Sequence, residues 1–196
     1  MDHSWTVRTS ANTIFMPKIV ILGAGESGTG AALLAQAHGM GVFVSDLGLI
    51  APTYRDVLIT LGFAVEEQLH APTAILDADE VVKSPGIPLH VPIVQAIQAT
   101  GIPMIDEVEL ASRYTKAFLI GITGTNGKTT TAHLVHHLLQ AAGLHVGIAG
   151  NMGYSFARKV LEGLHDYYVL ELSSFQLDGL HDFKANIACL LNITPD

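Results

Sequence analysis

The sequence has little cysteine, little positive charge and no long apolar run. Cys189 is the single cysteine among 196 residues, so no internal disulfide can form, which suits a reducing cytoplasm. Lysine and arginine number 10 against 18 aspartates and glutamates, for a net charge of −8. A duplex-binding surface needs clustered cations to neutralise phosphates, so no nucleic-acid partner is expected. One nucleotide needs only a few local positive groups and stays open. No apolar run reaches the roughly 20 residues that cross a bilayer, and no membrane partner is expected. Residues 1–16 are largely polar, lack the apolar core of a signal peptide, and read as a flexible leader. What the chain has in quantity is apolar side chain, at 49%, and glycine, at 19 residues. That allows a sizeable core with many tight strand-to-helix turns.

The most informative stretch runs from Ala117 to Thr131. An apolar strand, Ala117 to Ile122, leads into Thr123-Gly124-Thr125-Asn126-Gly127-Lys128-Thr129-Thr130, and a helical pattern follows from about Thr130. A glycine turn between strand and helix aims backbone N–H groups at an anion, and the helix dipole favours its charge. Lys128 can reach the β- and γ-phosphates, and the Thr129 hydroxyl can ligate Mg²⁺. Ile122 stands where the strict phosphate-loop pattern has its first glycine, but strand, turn and Gly-Lys-Thr ending fall in the expected order. Gly124 to Thr130 is therefore the candidate ATP loop.

An earlier βαβ unit carries a second glycine motif. Lys18 to Leu22 is an apolar strand, Gly23-Ala-Gly25-Glu26-Ser27-Gly28 follows, Ala31 to His38 reads as a helix, and Val42 to Val44 is a strand ending at Ser45-Asp46. The pattern puts a phosphate group at the helix start and a ribose or base near Asp46, without distinguishing NAD from another nucleotide. The alternation of strand and helix continues. Lys83-Ser84-Pro85-Gly86-Ile87-Pro88 is a loop kept irregular by proline and glycine, and Ser84 and Gly86 fall just past a strand end, where open α/β sheets bind ligands. Asp106 and Glu109 read as helix-capping groups. Arg113 to Lys116 is the polar interruption expected between domains.

Beyond the phosphate loop, Leu134, Val135, Leu138 and Leu139 read as the apolar stripe of the next helix, with His133, His136 and His137 on a solvated face. Val146 to Ala149 is a strand ending in Gly150-Asn151. Tyr167 to Leu170 is a strand buried on both faces, closed by Glu171, a carboxylate placed to hold Mg²⁺ near the loop. Ala185 to Ile193 is one more buried strand. The fold class is α/β: a Rossmann-like domain with a parallel sheet over residues 17–115, then the incomplete beginning of a P-loop-type ATPase domain over 116–196.

Gly124-Thr-Asn-Gly-Lys-Thr-Thr130, Gly150-Asn-Met-Gly153, Leu170-Glu-Leu-Ser-Ser-Phe-Gln-Leu177 and Leu191-Asn-Ile-Thr-Pro-Asp196 resemble the Mur ligases, the ATP-dependent amide-forming enzymes of peptidoglycan precursor synthesis in cell-wall biogenesis. The Glu171 string, Ser84-Pro-Gly-Ile-Pro88 and Gly23 to Gly28 resemble the branch that adds D-glutamate. The resemblance spans about Lys18 to Asp196. It implies UDP-N-acetylmuramoyl-L-alanine and D-glutamate as substrates, ATP and Mg²⁺ as cofactors, and a cytoplasmic monomer. It implies that Gly25, Glu26, Ser27, Asp46, Ser84 and Gly86 meet the UDP moiety and Asn151 the muramoyl end. Gly124, Thr125, Asn126, Gly127, Lys128, Thr129 and Thr130 would hold ATP, Thr129 and Glu171 the metal, and Lys128 and Glu171 would serve catalysis. The implied reaction activates the alanyl carboxylate as an acyl phosphate, which the amine of D-glutamate then opens.

The family continues past the point matching Asp196 with a metal-binding histidine, a carbamylated lysine and a further domain. The 196-residue chain is therefore expected to be a fragment that binds the UDP-sugar without forming the amide. Other readings are a Mur ligase for a different amino acid, a non-catalytic nucleotide-binding module, and an NAD-dependent oxidoreductase. The last leaves the second glycine loop unexplained.

Overall fold

A computed structural model of the protein describes residues 9–10, 13–14 and 16–194. Thr9–Ser10 (β1) and Thr13–Ile14 (β2) pair antiparallel; most of the expected leader lies outside the described residues. Contacts divide the chain between Met104 and Ile105.

The first unit alternates strand and helix: β3 (Lys18–Leu22), α1 (Glu26–Ala37), β4 (Gly41–Asp46), α2 (Pro52–Thr60), β5 (Ala64–Glu67), α3 (Pro72–Ile75), β6 (Glu80–Lys83), α4 (Pro92–Thr100) and β7 (Met104–Ile105). The sheet order is β5-β4-β3-β6-β7, and β3 pairs parallel with both β4 and β6. Ile19 to Leu22 are buried, as a strand covered by helices on both faces must be. Strand order reverses beside β3, so the loops after β3 and β6 flank a switch-point crevice. Below it Val20, Leu22, Val81, Val94 and Ile97 form one apolar cluster. Pro103 lies just outside β7, since proline has no N–H for a ladder.

The second unit holds α5 (Glu107–Ser112), β8 (Phe118–Thr123), α6 (Lys128–Ala141), β9 (Val146–Gly150), α7 (Phe156–Glu162), β10 (Tyr167–Glu171), α8 (Ser174–Leu177) and β11 (Ile187–Leu190). Its sheet runs β11-β8-β10-β9, with every pair parallel; β11 is shorter than Ala185 to Ile193 and not buried, because it is an edge strand whose Ile187 and Leu190 are exposed. The polar stretch Arg113–Lys116 falls inside this unit because α5 belongs to it. Asp106 caps α5 by accepting the Val108 N–H, and Glu107 accepts the N–H of Ala157. Glu109 does not turn back to close a capping box. Its Oε2 accepts the N–H groups of His181, Asp182 and Phe183 at 2.9, 3.1 and 2.9 Å.

Two helices begin earlier than hydrophobic periodicity indicates. α1 starts at Glu26 and α6 at Lys128, so each glycine motif supplies its helix's first turn. The apolar stripe of α6 is also narrower than expected. Ala132, Val135 and Leu139 pack on the core, whereas Leu134 and Leu138 are 55% and 57% exposed. His133 and His137 are exposed, and no group of three or more candidate metal ligands of the His, Cys, Asp or Glu type occurs among the described residues.

Candidate functional site

The first unit gathers its candidates around the switch point. Gly25 is the N-cap of α1, and Glu26 and Ser27 open the helix. Gly28 permits a close approach: a Cβ there would stand 1.8 Å from the Gly23 carbonyl oxygen. Asp46 ends β4 and ties two turns together, its Oδ2 accepting the Ala24 N–H at 2.7 Å and its Oδ1 the Gly48 N–H at 2.8 Å. Lys83 Nζ donates to the carbonyls of Ser84 and Ile87 at 3.1 and 2.9 Å, which shapes the loop carrying Ser84 and Gly86. Ser84 Oγ lies 3.5 Å from the Gly23 oxygen.

A cavity of about 720 Å³ opens here, and Gly23, Asp46 and Gly86 line it together with apolar Leu47, Leu69 and Ile87. Glu26 and Ser27 are not among its lining residues. Sequence reasoning missed His70, which also lines it, and the buried Ser45 beside it. The stretch Glu66 to His70 carries no motif that would single it out. Its one local clue is geometric and invisible in sequence: Gln68 adopts φ +63°, a conformation rare for side chains other than glycine.

In the second unit, parallel register brings separate strand ends together. Glu171 is level with Gly150 on one side and Ile122 on the other. Glu171 is 3% exposed; its Oε2 accepts the Thr129 hydroxyl at 2.8 Å and its Oε1 the Asn151 side-chain amide at 3.2 Å. Thr129, Glu171 and Asn151 thus form one cluster. Gly127 takes φ +84° at the N-cap of α6, a left-handed turn that suits glycine. The first helical bond runs from Thr131 N–H to Gly127 O, so the N–H groups of Lys128, Thr129 and Thr130 precede it, as at any helix start. Lys128 Nζ donates to Gly124 O and Thr125 O at 2.7 and 3.1 Å. Thr130 is exposed in the first turn.

Thr125 and Asn126 do not offer open amides. The Thr125 N–H donates to Asn192 O at 3.1 Å and the Asn126 N–H to Asn192 Oδ1 at 3.0 Å. Asn192 Nδ2 returns a bond to Asn126 O at 3.0 Å, and the Thr194 N–H donates to Thr125 Oγ1 at 3.1 Å. These anchors after β11 were not singled out as site residues, because nothing in sequence spacing announces a contact across 66 positions.

The donor set fits a hard cation. A hydroxyl beside a buried carboxylate is all-oxygen, and Mg²⁺ is commonly bound by one or two carboxylates with substrate phosphates and water.

Comparison with known proteins bears on the whole arrangement. The family description "Mur ligase MurD-like, N-terminal domain" matches residues 17–106, and "Mur ligase middle domain" matches residues 122–196. The chain belongs to the Mur ligase family. Among curated Mur ligases, the UDP-N-acetylmuramoylalanine–D-glutamate ligase of Porphyromonas gingivalis is 57% identical over 178 residues, 91% of this chain and 40% of that protein. The protein of the same name from Bacteroides thetaiotaomicron is 55% identical over 181 residues, 92% of this chain and 41% of that protein. The chain thus spans about two fifths of the length of these Mur ligases. Among solved structures, a Neisseria UDP-N-acetylmuramate:L-alanyl-γ-D-glutamyl-meso-diaminopimelate ligase superposes with a TM-score of 0.60 at 26% identity, over 93% of this chain and 62% of that one. The UDP-N-acetylmuramate–alanine ligase of Thermotoga maritima gives 0.57 at 22% identity, over 91% of this chain and 42% of that one, and shares the fold. Among the described residues, no helix is long and apolar enough to cross a membrane.

Proposed function

We propose that this chain supplies the sugar-nucleotide site and the phosphate loop of an ATP-dependent ligase that joins D-glutamate to UDP-N-acetylmuramoyl-L-alanine. The observation that carries the reading is the hydrogen-bonded cluster of Thr129, Glu171 and Asn151 beside the Lys128 loop. It couples a phosphate-loop hydroxyl to a buried carboxylate, as nucleotide chemistry requires and a structural turn does not. The 57% and 55% identities favour the D-glutamate branch.

In this reading the first unit holds the UDP moiety through Gly25, Glu26, Ser27, Asp46, Ser84 and Gly86. Asp46 acts through the loop it braces, since both its oxygens bond backbone N–H groups. In the second unit the α6 N-terminus receives the ATP phosphates from Gly124 to Thr130. Lys128 exchanges its two loop carbonyls for phosphate oxygens and neutralises their charge. Thr129 and Glu171 would hold Mg²⁺, which when bound would offset phosphate charge. Asn151, tethered to Glu171, positions the muramoyl end so that the carboxylate to be activated lies near the loop. The protein works in the cytoplasm as a monomer.

Calorimetric titration of the 196-residue chain tests this. UDP-N-acetylmuramoyl-L-alanine and Mg-ATP should each give a binding isotherm and NAD none; binding of NAD alone would overturn the reading.

A further inference from the structure

Asn126-Gly127 is the only Asn-Gly pair in the sequence, and both residues are exposed in the turn before α6. Glycine has no Cβ to shield its nitrogen, so the side-chain carbonyl of the preceding asparagine lies open to attack by it. Asn151 is followed by methionine, and Asn186 and Asn192 by isoleucine, whose side chains hinder the same approach. Among the described residues, neither the Gly127 N–H nor the Asn126 side-chain amide has a hydrogen-bond partner. The attacking species is the nitrogen stripped of its proton, and it is an anion. The α6 N-terminus carries positive partial charge, and the Lys128 ammonium lies on the same turn; both stabilise that anion. One contact opposes the attack. Bringing the Gly127 nitrogen to Asn126 Cγ requires rotation about the Cα–C bond of Asn126, which swings its carbonyl. Asn192 Nδ2 holds that carbonyl at 3.0 Å, while Asn192 Oδ1 holds the Asn126 N–H at 3.0 Å.

We propose that Asn126 is a self-modification site, whose side chain closes on the Gly127 nitrogen and deamidates, while the Asn192 bracket sets how slowly this happens. The Gly127 nitrogen forms a bond to Asn126 Cγ, the Cγ–Nδ2 bond breaks, and ammonia leaves with the peptide proton. Water then opens the resulting succinimide to aspartate or isoaspartate. Either product puts a carboxylate into the turn that carries Lys128, where it repels phosphate. The consequence for ATP rests on the phosphate-loop reading above; the chemistry at Asn126 does not.

The test is timed incubation of the 196-residue chain in mildly alkaline buffer, read by peptide mass spectrometry and by enzymatic methylation of isoaspartate. Conversion should appear at Asn126 ahead of Asn151, Asn186 and Asn192, a comparison that needs no variant to fold. Asn192→Ala should speed it about tenfold, the worth of the bond that opposes the rotation. Tyr168→Phe, which loses one hydrogen bond elsewhere in the unit, should leave the rate unchanged and so separates release of the bracket from general loosening. Asn126→Asp keeps both bonds to Asn192, since neither uses the substituted side chain, and adds only the charge. It should weaken Mg-ATP binding about tenfold in calorimetry and leave UDP binding as in wild type. Conversion at Asn126 no faster than at the other asparagines would overturn the proposal. So would a rate in Asn192→Ala no greater than in Tyr168→Phe, or wild-type Mg-ATP affinity in Asn126→Asp. Failure of the wild type to bind Mg-ATP would instead sink the phosphate-loop reading and the consequence for ATP, with the conversion at Asn126 still read directly.

Discussion

Lys128 and Glu171 meet opposite problems at the same loop. The lysine is a cation whose partners are two carbonyls of its own turn; the glutamate is a buried anion stabilised by one hydroxyl and one amide. Lys128→Ala should weaken Mg-ATP binding by about 10- to 100-fold, the worth of a charge-assisted hydrogen bond, as read by calorimetry. Glu171→Gln keeps the shape and removes the charge. It should weaken Mg-ATP binding about tenfold while leaving UDP binding in the first unit unchanged; equal loss of both ligands would point to misfolding. The positions of both could be read from sequence, Lys128 from the glycine turn after an apolar strand and Glu171 from the end of an apolar run. Asn192 was not, because its part in the loop depends on which strand lies beside β8. His70 was not, because a histidine outside any motif looks the same whether it faces solvent or a pocket.

Strands and helices were read well where local rules dominate and less well where neighbours decide. Lys18–Leu22 came out of apolar pattern and a bounding glycine, and Tyr167–Glu171 out of apolar pattern alone. The face of α6 did not, because Leu134 and Leu138 are as apolar as Val135 and Leu139, and only the position of the sheet determines which pair is buried. The short α3 and α8 escaped because four residues carry too little periodicity. Asn192→Ala removes both side-chain bonds that the segment after β11 makes to Asn126. It should lower stability by about 1–2 kcal/mol in urea denaturation and weaken Mg-ATP binding without touching UDP binding. The β10–α7 contact has a pH signature. Burial, with a smaller contribution from the Glu162 charge, pushes the Tyr168 phenol up to about 12, and its hydroxyl donates to Lys159 O at 2.7 Å. A folded-state pKa above the unfolded value means stability that is complete below about pH 10 and declines as pH rises toward 12. Tyr168→Phe should be less stable than wild type at pH 8, by about 1 kcal/mol for the lost hydrogen bond, and the gap between them should close as pH is raised through that window.

At the scale of the molecule, two α/β units each place a glycine turn at the carboxyl end of a parallel sheet. That much was visible in sequence, because the order of strand, glycine turn and helix occurs twice. The division of contacts between Met104 and Ile105 was not, since the tie of Glu109 to residues 181–183 is long-range and leaves no mark in composition. The chain matches about two fifths of its curated relatives. A coupled phosphate-release assay with UDP-N-acetylmuramoyl-L-alanine, D-glutamate and Mg-ATP should accordingly record no turnover by the 196-residue polypeptide. The tie between Asn126 and Asn192 also has a consequence in time. A ribosome releases the lysine-bearing turn well before the asparagine that braces it, 66 positions later, a delay of roughly 3–13 seconds at about 5–20 residues per second. Throughout that interval the nascent turn lacks the side chain that braces it, so the loop takes its final shape only once β11 and the segment after it have been made.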